Sequence, residues 1–149
     1  MKIKKKIALV AHDHKKKEML QFVKENIDIL SRHELLGTGT TARVISENTN
    51  LKVEELISGP FGGDQQVGSM IAQSMIDVLI FFWDPLEALV HDPDVKALLR
   101  IAVLYDIIVV MNPATANLVI RSDEFDEELK RNEMINEILD LNSKRKIEL

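Results

Sequence analysis

A chain of 149 residues with 46% hydrophobic content is sized for one domain with one core, able to bury about 70% of its unfolded surface. A formal charge of -5 argues against nonspecific nucleic-acid binding, in spite of a basic tip at Lys2, Lys4, Lys5 and Lys6, and the absence of Cys removes disulfides, a thiol nucleophile and thiolate metal sites. The first apolar run, 7–11, is too short for a signal-peptide core and no apolar span approaches membrane length, so a soluble cytoplasmic protein with no membrane partner is expected.

Apolar runs alternate with helical patterns along the chain. Residues 7–11 (Ile-Ala-Leu-Val-Ala) form a short continuous run, as expected of a strand buried on both faces, and Met19, Leu20, Val23, Ile27 and Leu30 then recur at helical spacing. Leu35-Leu36 runs into Gly37-Thr38-Gly39-Thr40-Thr41 and a helical stretch with Val44 and Ile45. A run over 53–57 precedes Ser58-Gly59-Pro60-Phe61-Gly62-Gly63-Asp64-Gln65-Gln66, and Val67, Met70, Ile71 and Met75 predict the helix that follows. Residues 77–83 are the strongest strand signal, stopped by Asp84-Pro85; a helix over about 93–105 then leads to a last run at 107–111, ended by Asn112-Pro113. Five strands with helical crossovers predict an α/β fold, a Rossmann-like or flavodoxin-like three-layer sandwich around a parallel sheet. Residues 123–149 are charged and helix-prone with a broken apolar stripe, and read as a C-terminal helical tail of the same domain.

In such sheets ligands bind beyond the carboxyl ends of the strands. The polar clusters fall there: His12-Asp13-His14, Thr38 to Thr41, Ser58 to Gln66, Asp84, and Asn112 to Thr115. The glycine loop is the most informative, because glycines let backbone turn sharply and approach a ligand, and a helix starting after them aims N–H groups at an anion. It reads as an anion cradle with an acid or base at Asp64. Each cluster also has a plainer explanation. Gly37, Gly39 and the threonines suit a turn and a helix N-cap, the lysines at 15–17 a solvated helix face, Asp84 a strand stop, and His91-Asp92-Pro93-Asp94 a loop entering a helix. Two His without a third ligand make a metal the weakest reading of His12 and His14. Convergence favours function: Thr hydroxyls, backbone amides and Lys16 suit a phosphate dianion, while carboxylates and His at the same edge suit proton transfer.

Val10-Ala11-His12-Asp13, Thr38-Gly39-Thr40-Thr41, the glycine loop, Phe82-Trp83-Asp84-Pro85 and the segment from His91 to Arg100 together resemble the methylglyoxal synthase family over about 7–115. The resemblance implies conversion of dihydroxyacetone phosphate to methylglyoxal and inorganic phosphate, with no metal and no organic cofactor. By carry-over Asp64 is the base, His91 binds the substrate oxygens, and Asp94 and Asp84 assist or orient protons. His12, Lys16, Thr38, Gly39, Thr40, Thr41, Ser58 and Gly59 hold the substrate and its phosphate. It further implies a homohexamer with inorganic phosphate as inhibitor or effector and Arg100 as a carrier of that signal. Two other readings are a noncatalytic effector-binding module of the same fold and a phosphoacceptor domain. Retention of Asp64, His91 and Asp94 speaks against the first; Ser58-Gly59-Pro60 and Asn112-Pro113-Ala114, lacking the acceptor Asp and the Lys, speak against the second.

Overall fold

A computed structural model describes residues 2–87 and 92–144. Its sheet has five strands, β1 (Lys6–Ala11), β2 (Glu34–Thr38), β3 (Val53–Leu56), β4 (Val78–Phe82) and β5 (Ile108–Val110), in the order β3-β2-β1-β4-β5. Every pairing is parallel, with Leu9 opposite Gly37 on one side of β1 and Ile80 on the other. Of the two orders open to such a sandwich this is the Rossmann one.

The period-two alternation of each strand divides the interior into two cores. Ile7, Leu9 and Ala11 face α1 (Lys16–Glu25), α3 (Gly39–Asn48) and α6 (Pro113–Ile120) through Phe22, Val23, Ile45, Ala116 and Ile120. Ala8 and Val10 face α4 (Gly63–Ala72) and α5 (Asp92–Leu104) through Val67, Ile71, Val95, Leu98 and Ala102. Burial on both faces explains why the central strands are unbroken apolar runs, each large side chain adding about 1.5–3 kcal/mol when removed from water.

The helical pattern expected to run through Leu30 breaks at Asn26 into α1 and a one-turn α2 (Ile27–Leu30). Asn26 is buried with φ -128°, and its side chain donates to the Phe22 carbonyl and to Asn117 Oδ1, both at 2.8 Å, while accepting from Arg121 Nε at 2.9 Å. Asn117 lies on α6, a helix the sequence reading left as the loop 112–115, and Arg121 caps its end. Pro113 opens α6 where no N–H is needed, and Asn112 Oδ1 accepts from the Thr115 amide at 2.9 Å. In the tail, α7 (Glu133–Lys144) begins only after a non-helical stretch, with Asn132 Oδ1 accepting from the Ile135 amide at 3.1 Å.

The segment before α7 is tied to the start of β1. Lys5 is 2% exposed; its ammonium donates to the carbonyls of Phe125 and Glu127 and lies 5.4 Å from the Phe125 ring centre. The Lys5 amide donates to His33 Nδ1 at 2.9 Å, which leaves Nε2 to carry the proton given to Asp126 Oδ1 at 3.0 Å. Asp126 also meets Arg32 at 3.1 Å. Burial lowers the His33 pKa below its ordinary 6.5, against the opposing pull of Asp126. For Asp126, burial raises the pKa, but Arg32 and His33 prevail and leave it below 3.8.

A depressed His pKa means that the unfolded chain binds more protons than the folded one once pH falls below the unfolded value. The stabilisation from His33 is therefore complete above about pH 6.5 and is lost as pH falls below it, whereas that from Asp126 persists until about pH 4. Thermal midpoints should drop between pH 7 and 5, and His33→Gln should flatten that slope. An equally steep slope in the variant would remove His33 as its source.

Candidate active site

In an open parallel sheet whose strand order reverses, the carboxyl ends on either side of the reversal leave a crevice. Here β1 is followed in the chain by β2 on one side, while β4 pairs on its other side. A cleft of about 90 Å³ opens at that edge, lined by Val10, Ala11, His12, Asp13 and Lys16 from β1 and the turn after it, Thr38 and Thr40 beyond β2, Gly59, Pro60 and Asp64 beyond β3, and Glu87 beyond β4. None of the described lining residues comes from the β5 loop, whose Asn112 is spent on the α6 cap.

The glycine loop places Asp64 by close backbone packing. After β3 a single 3-10 turn, Gly59–Phe61, leads to Gly62 at φ 107°, a left-handed conformation that favours glycine. Gly63 follows under a tighter limit, since a Cβ there would lie 2.0 Å from the Ile57 carbonyl oxygen. The Ser58 carbonyl accepts from the amides of Phe61 and Gly63, both at 3.0 Å, and Gln66 Oε1 reaches back to the Ile57 amide at 2.9 Å. Asp64 thereby enters the first turn of α4, where the helix dipole favours a carboxylate. A Cβ on Gly59 would stand 3.7 Å from Asp64 Oδ1, so backbone and carboxylate share one corner of the cleft.

Lys16 supplies positive charge. Its Nζ donates to the Ala11 carbonyl at 3.1 Å and to Asp13 Oδ1 at 2.6 Å, which lowers the Asp13 pKa chiefly through that hydrogen bond and the lysine charge. Thr38 is buried at the end of β2 and Thr40 lies one residue into α3. Thr41 is turned away, its hydroxyl 3.4 Å from the Ala11 carbonyl. Gly39 and Ser58 also stay behind the cleft wall; a Cβ on Gly39 would meet the Ser58 nitrogen at 3.2 Å, so this glycine lets the two loops close on each other.

His12 is oriented by backbone. Its Nδ1 accepts from the Asp84 amide at 3.1 Å and its ring meets Phe81 edge-on at 5.2 Å, so the neutral ring carries its proton on Nε2. Asp84 itself is buried: Oδ1 accepts from the Leu86 amide at 2.9 Å and Oδ2 lies 3.2 Å from His14 Nδ1. The Leu86 N–H foremost, with His14, holds its pKa below the ordinary carboxylate value against the effect of burial. The Asp84 backbone N–H orients His12, while its carboxylate is held by Leu86 and His14, and Asp84 is not among the residues lining the cleft. Asp94 Oδ1 accepts from Gln65 Nε2 at 2.9 Å, joining the first turn of α5 to that of α4 next to Asp64. His91 lies outside the described residues.

Asp13 and Pro60 come from clusters the sequence set at this edge without a role of their own, whereas Glu87 lines the cleft from outside all of them. For Glu87 a signal existed: Asp-Pro at the start of a four-residue turn returns the chain three residues later, and the Glu87 amide does donate to the Asp84 carbonyl at 3.4 Å. Among the described residues, no group of His, Cys, Asp and Glu large enough to hold a metal ion comes together.

Residues 18–111 match the family described as the MGS-like domain. The methylglyoxal synthase of Proteus mirabilis strain HI4320 is 56% identical over 126 residues, 85% of this chain and 83% of the relative. That of Clostridium acetobutylicum is 56% identical over 131 residues, 88% and 90% of the two chains. The crystal structure of methylglyoxal synthase from Elizabethkingia anophelis NUHP1 superposes with a TM-score of 0.81 at 42% identity, covering 97% of this chain and 93% of that one.

The loop geometry makes Gly63 the most sensitive glycine of the site. Gly63→Ala must displace the Ile57 carbonyl or the start of α4, at about 1–3 kcal/mol of stability as in other overpacked positions, and must move Asp64 with it. Denaturant unfolding should show the loss, whereas Gly68→Ala, whose Cβ would sit 3.9 Å from Leu98 Cδ1, should be close to neutral. Equal stability of the two variants would refute the packing argument.

Proposed function

The chain belongs to the methylglyoxal synthase family, and on that premise we propose that it converts dihydroxyacetone phosphate to methylglyoxal and inorganic phosphate, residues 1–149 acting as one unit. The observation that carries this reading is the cleft that Asp64 lines together with Lys16, Thr38, Thr40 and His12. Asp64 takes a proton from the hydroxymethyl carbon of the substrate, and the C–H electron pair moves into the new double bond of an enediolate. The Nε2–H of His12, together with His91, stabilises the oxygens on which charge develops. The enediolate then collapses, breaking the C–O bond to phosphate on the neighbouring carbon. The leaving dianion departs onto Lys16, the threonine hydroxyls and the amides of the glycine loop. Protonation of the freed methylene gives the methyl group of methylglyoxal. The substrate carbonyl serves as the electron sink, so the sequence of steps asks for no metal or organic cofactor.

Asp84 serves this chemistry by orienting His12, and Asp94 by bracing Gln65 beside the base. Thr41, Gly39 and Ser58 shape the walls that bring the phosphate donors together. A cytoplasmic homohexamer restrained by inorganic phosphate is part of the same reading. The association of copies is supported by the large apolar side chains left exposed on successive helices, Val103 at 71%, Leu118 at 77% and Met134 at 61%. Sedimentation should then find a species near six times 16.9 kDa; only the 16.9 kDa form at working concentration would contradict the assembly.

Asp64→Asn keeps size and hydrogen bonding but cannot accept the proton. Turnover should fall by about 10²- to 10⁴-fold while phosphate affinity survives. The companion measurement is exchange of the substrate's carbon-bound protons into deuterated water. Near-normal exchange in the variant would move the base to another carboxylate and leave Asp64 a structural residue.

A further inference from the structure

Glu87 lines the cleft, has no part in the steps above and, unlike Asp13, which is paired with Lys16, adds a carboxylate with no cation of its own turn beside it among the described residues. Glu87 ends the turn that begins at Asp84, and its Oε2 lies 3.2 Å from His12 Nδ1 with the side chain 36% exposed. That nitrogen already accepts the Asp84 amide. A neutral ring has no proton there to give, so the Glu87 and Asp84 contacts are alternatives and Glu87 is held only when the ring is doubly protonated. The charged groups facing it across the cleft are His12 and Lys16, with Asp13 and Asp64 adding negative charge. We propose that Glu87 is an internal rival of the substrate's phosphate: its carboxylate stands at the Nδ1 edge of His12 inside the same cleft as Lys16, and has to move aside before a phosphate group can seat. This rests on the reading of the cleft as a phosphate site. Its consequence is a deliberately weakened grip on anions, which favours release of the inorganic phosphate product. The alternate pair of contacts at Nδ1 makes the movement possible, because Nδ1 takes up the Asp84 amide when Glu87 leaves.

Binding of inorganic phosphate tests this directly, read by the fluorescence of Trp83, the chain's single Trp and the neighbour of Asp84, and by calorimetry. Removing one like charge a few ångströms from a bound dianion should tighten binding by about fivefold or more, an advantage that shrinks as salt is added. Glu87→Gln, which keeps the size, and Glu87→Ala, which keeps no side-chain oxygen, should both bind phosphate more tightly than the parent chain, and Lys16→Ala more weakly. If the parent binds and Lys16→Ala loses affinity while both Glu87 variants bind equally or more weakly, the rivalry is refuted and the phosphate cleft stands. If parent and Lys16→Ala do not differ, the cleft reading itself fails and takes the proposal with it.

Discussion

The approach of Gly63 to the Ile57 carbonyl is the contact on which the site depends. No side chain fits between them, so β3 can hand over to α4 only through a glycine, and the first turn of that helix is pinned against the strand it left. Everything downstream inherits the placement. Asp64 is fixed one residue later, Gln66 turns back to the Ile57 amide, and Gln65 reaches Asp94 on α5. A carboxylate carried on a loose loop would sample many positions. Packed this way, it gains the fixed orientation that the proposed proton transfer asks for.

A second layer of organisation comes from backbone amides. The Asp84 N–H sets the tautomer of His12, the Leu86 N–H fixes the Asp84 carboxylate, and the Ser58 carbonyl collects the amides of the glycine turn. These donors and acceptors cost little entropy to hold, since the chain that bears them is already ordered by strands and helices. Polar side chains are then left to face the cleft. The division of labour separates Asp84 and Thr41, which brace, from Asp64, Lys16 and Thr40, which face the opening.

Fold and site were legible to different degrees. The strands could be read because burial on both faces writes them as continuous apolar runs, and 77–83 gave β4 within a residue of its ends. The glycine loop was legible because three glycines before a carboxylate have few other uses. By contrast, Asn26 sits in a periodic stretch, and its helix-breaking role depends on Asn117 and Arg121, more than ninety positions away. The α6 helix was hidden because Asn-Pro reads as a stop, although Pro113 also begins a helix well. Thr41 and Asp84 look like ligands in sequence; only the register of β1 against β2 and β4 turns the one toward Ala11 and buries the other. Glu87 escaped notice although Asp84-Pro85 marks the turn that carries it, because composition gives the turn and not its direction in space.

The anchoring of Lys5 to Phe125 and Glu127 has a practical side. Lys5 and His12 flank the two ends of β1, and a strand of six residues spans about 20 Å. The Ile3 amide also donates to the Asp126 carbonyl, so the leading residues and the tail segment are gathered at the face remote from the cleft. A dye, a surface linker or a fused reporter attached next to Ile3 would therefore leave the mouth of the cleft unobstructed, which suits the molecule to immobilised sensing of small phosphorylated metabolites.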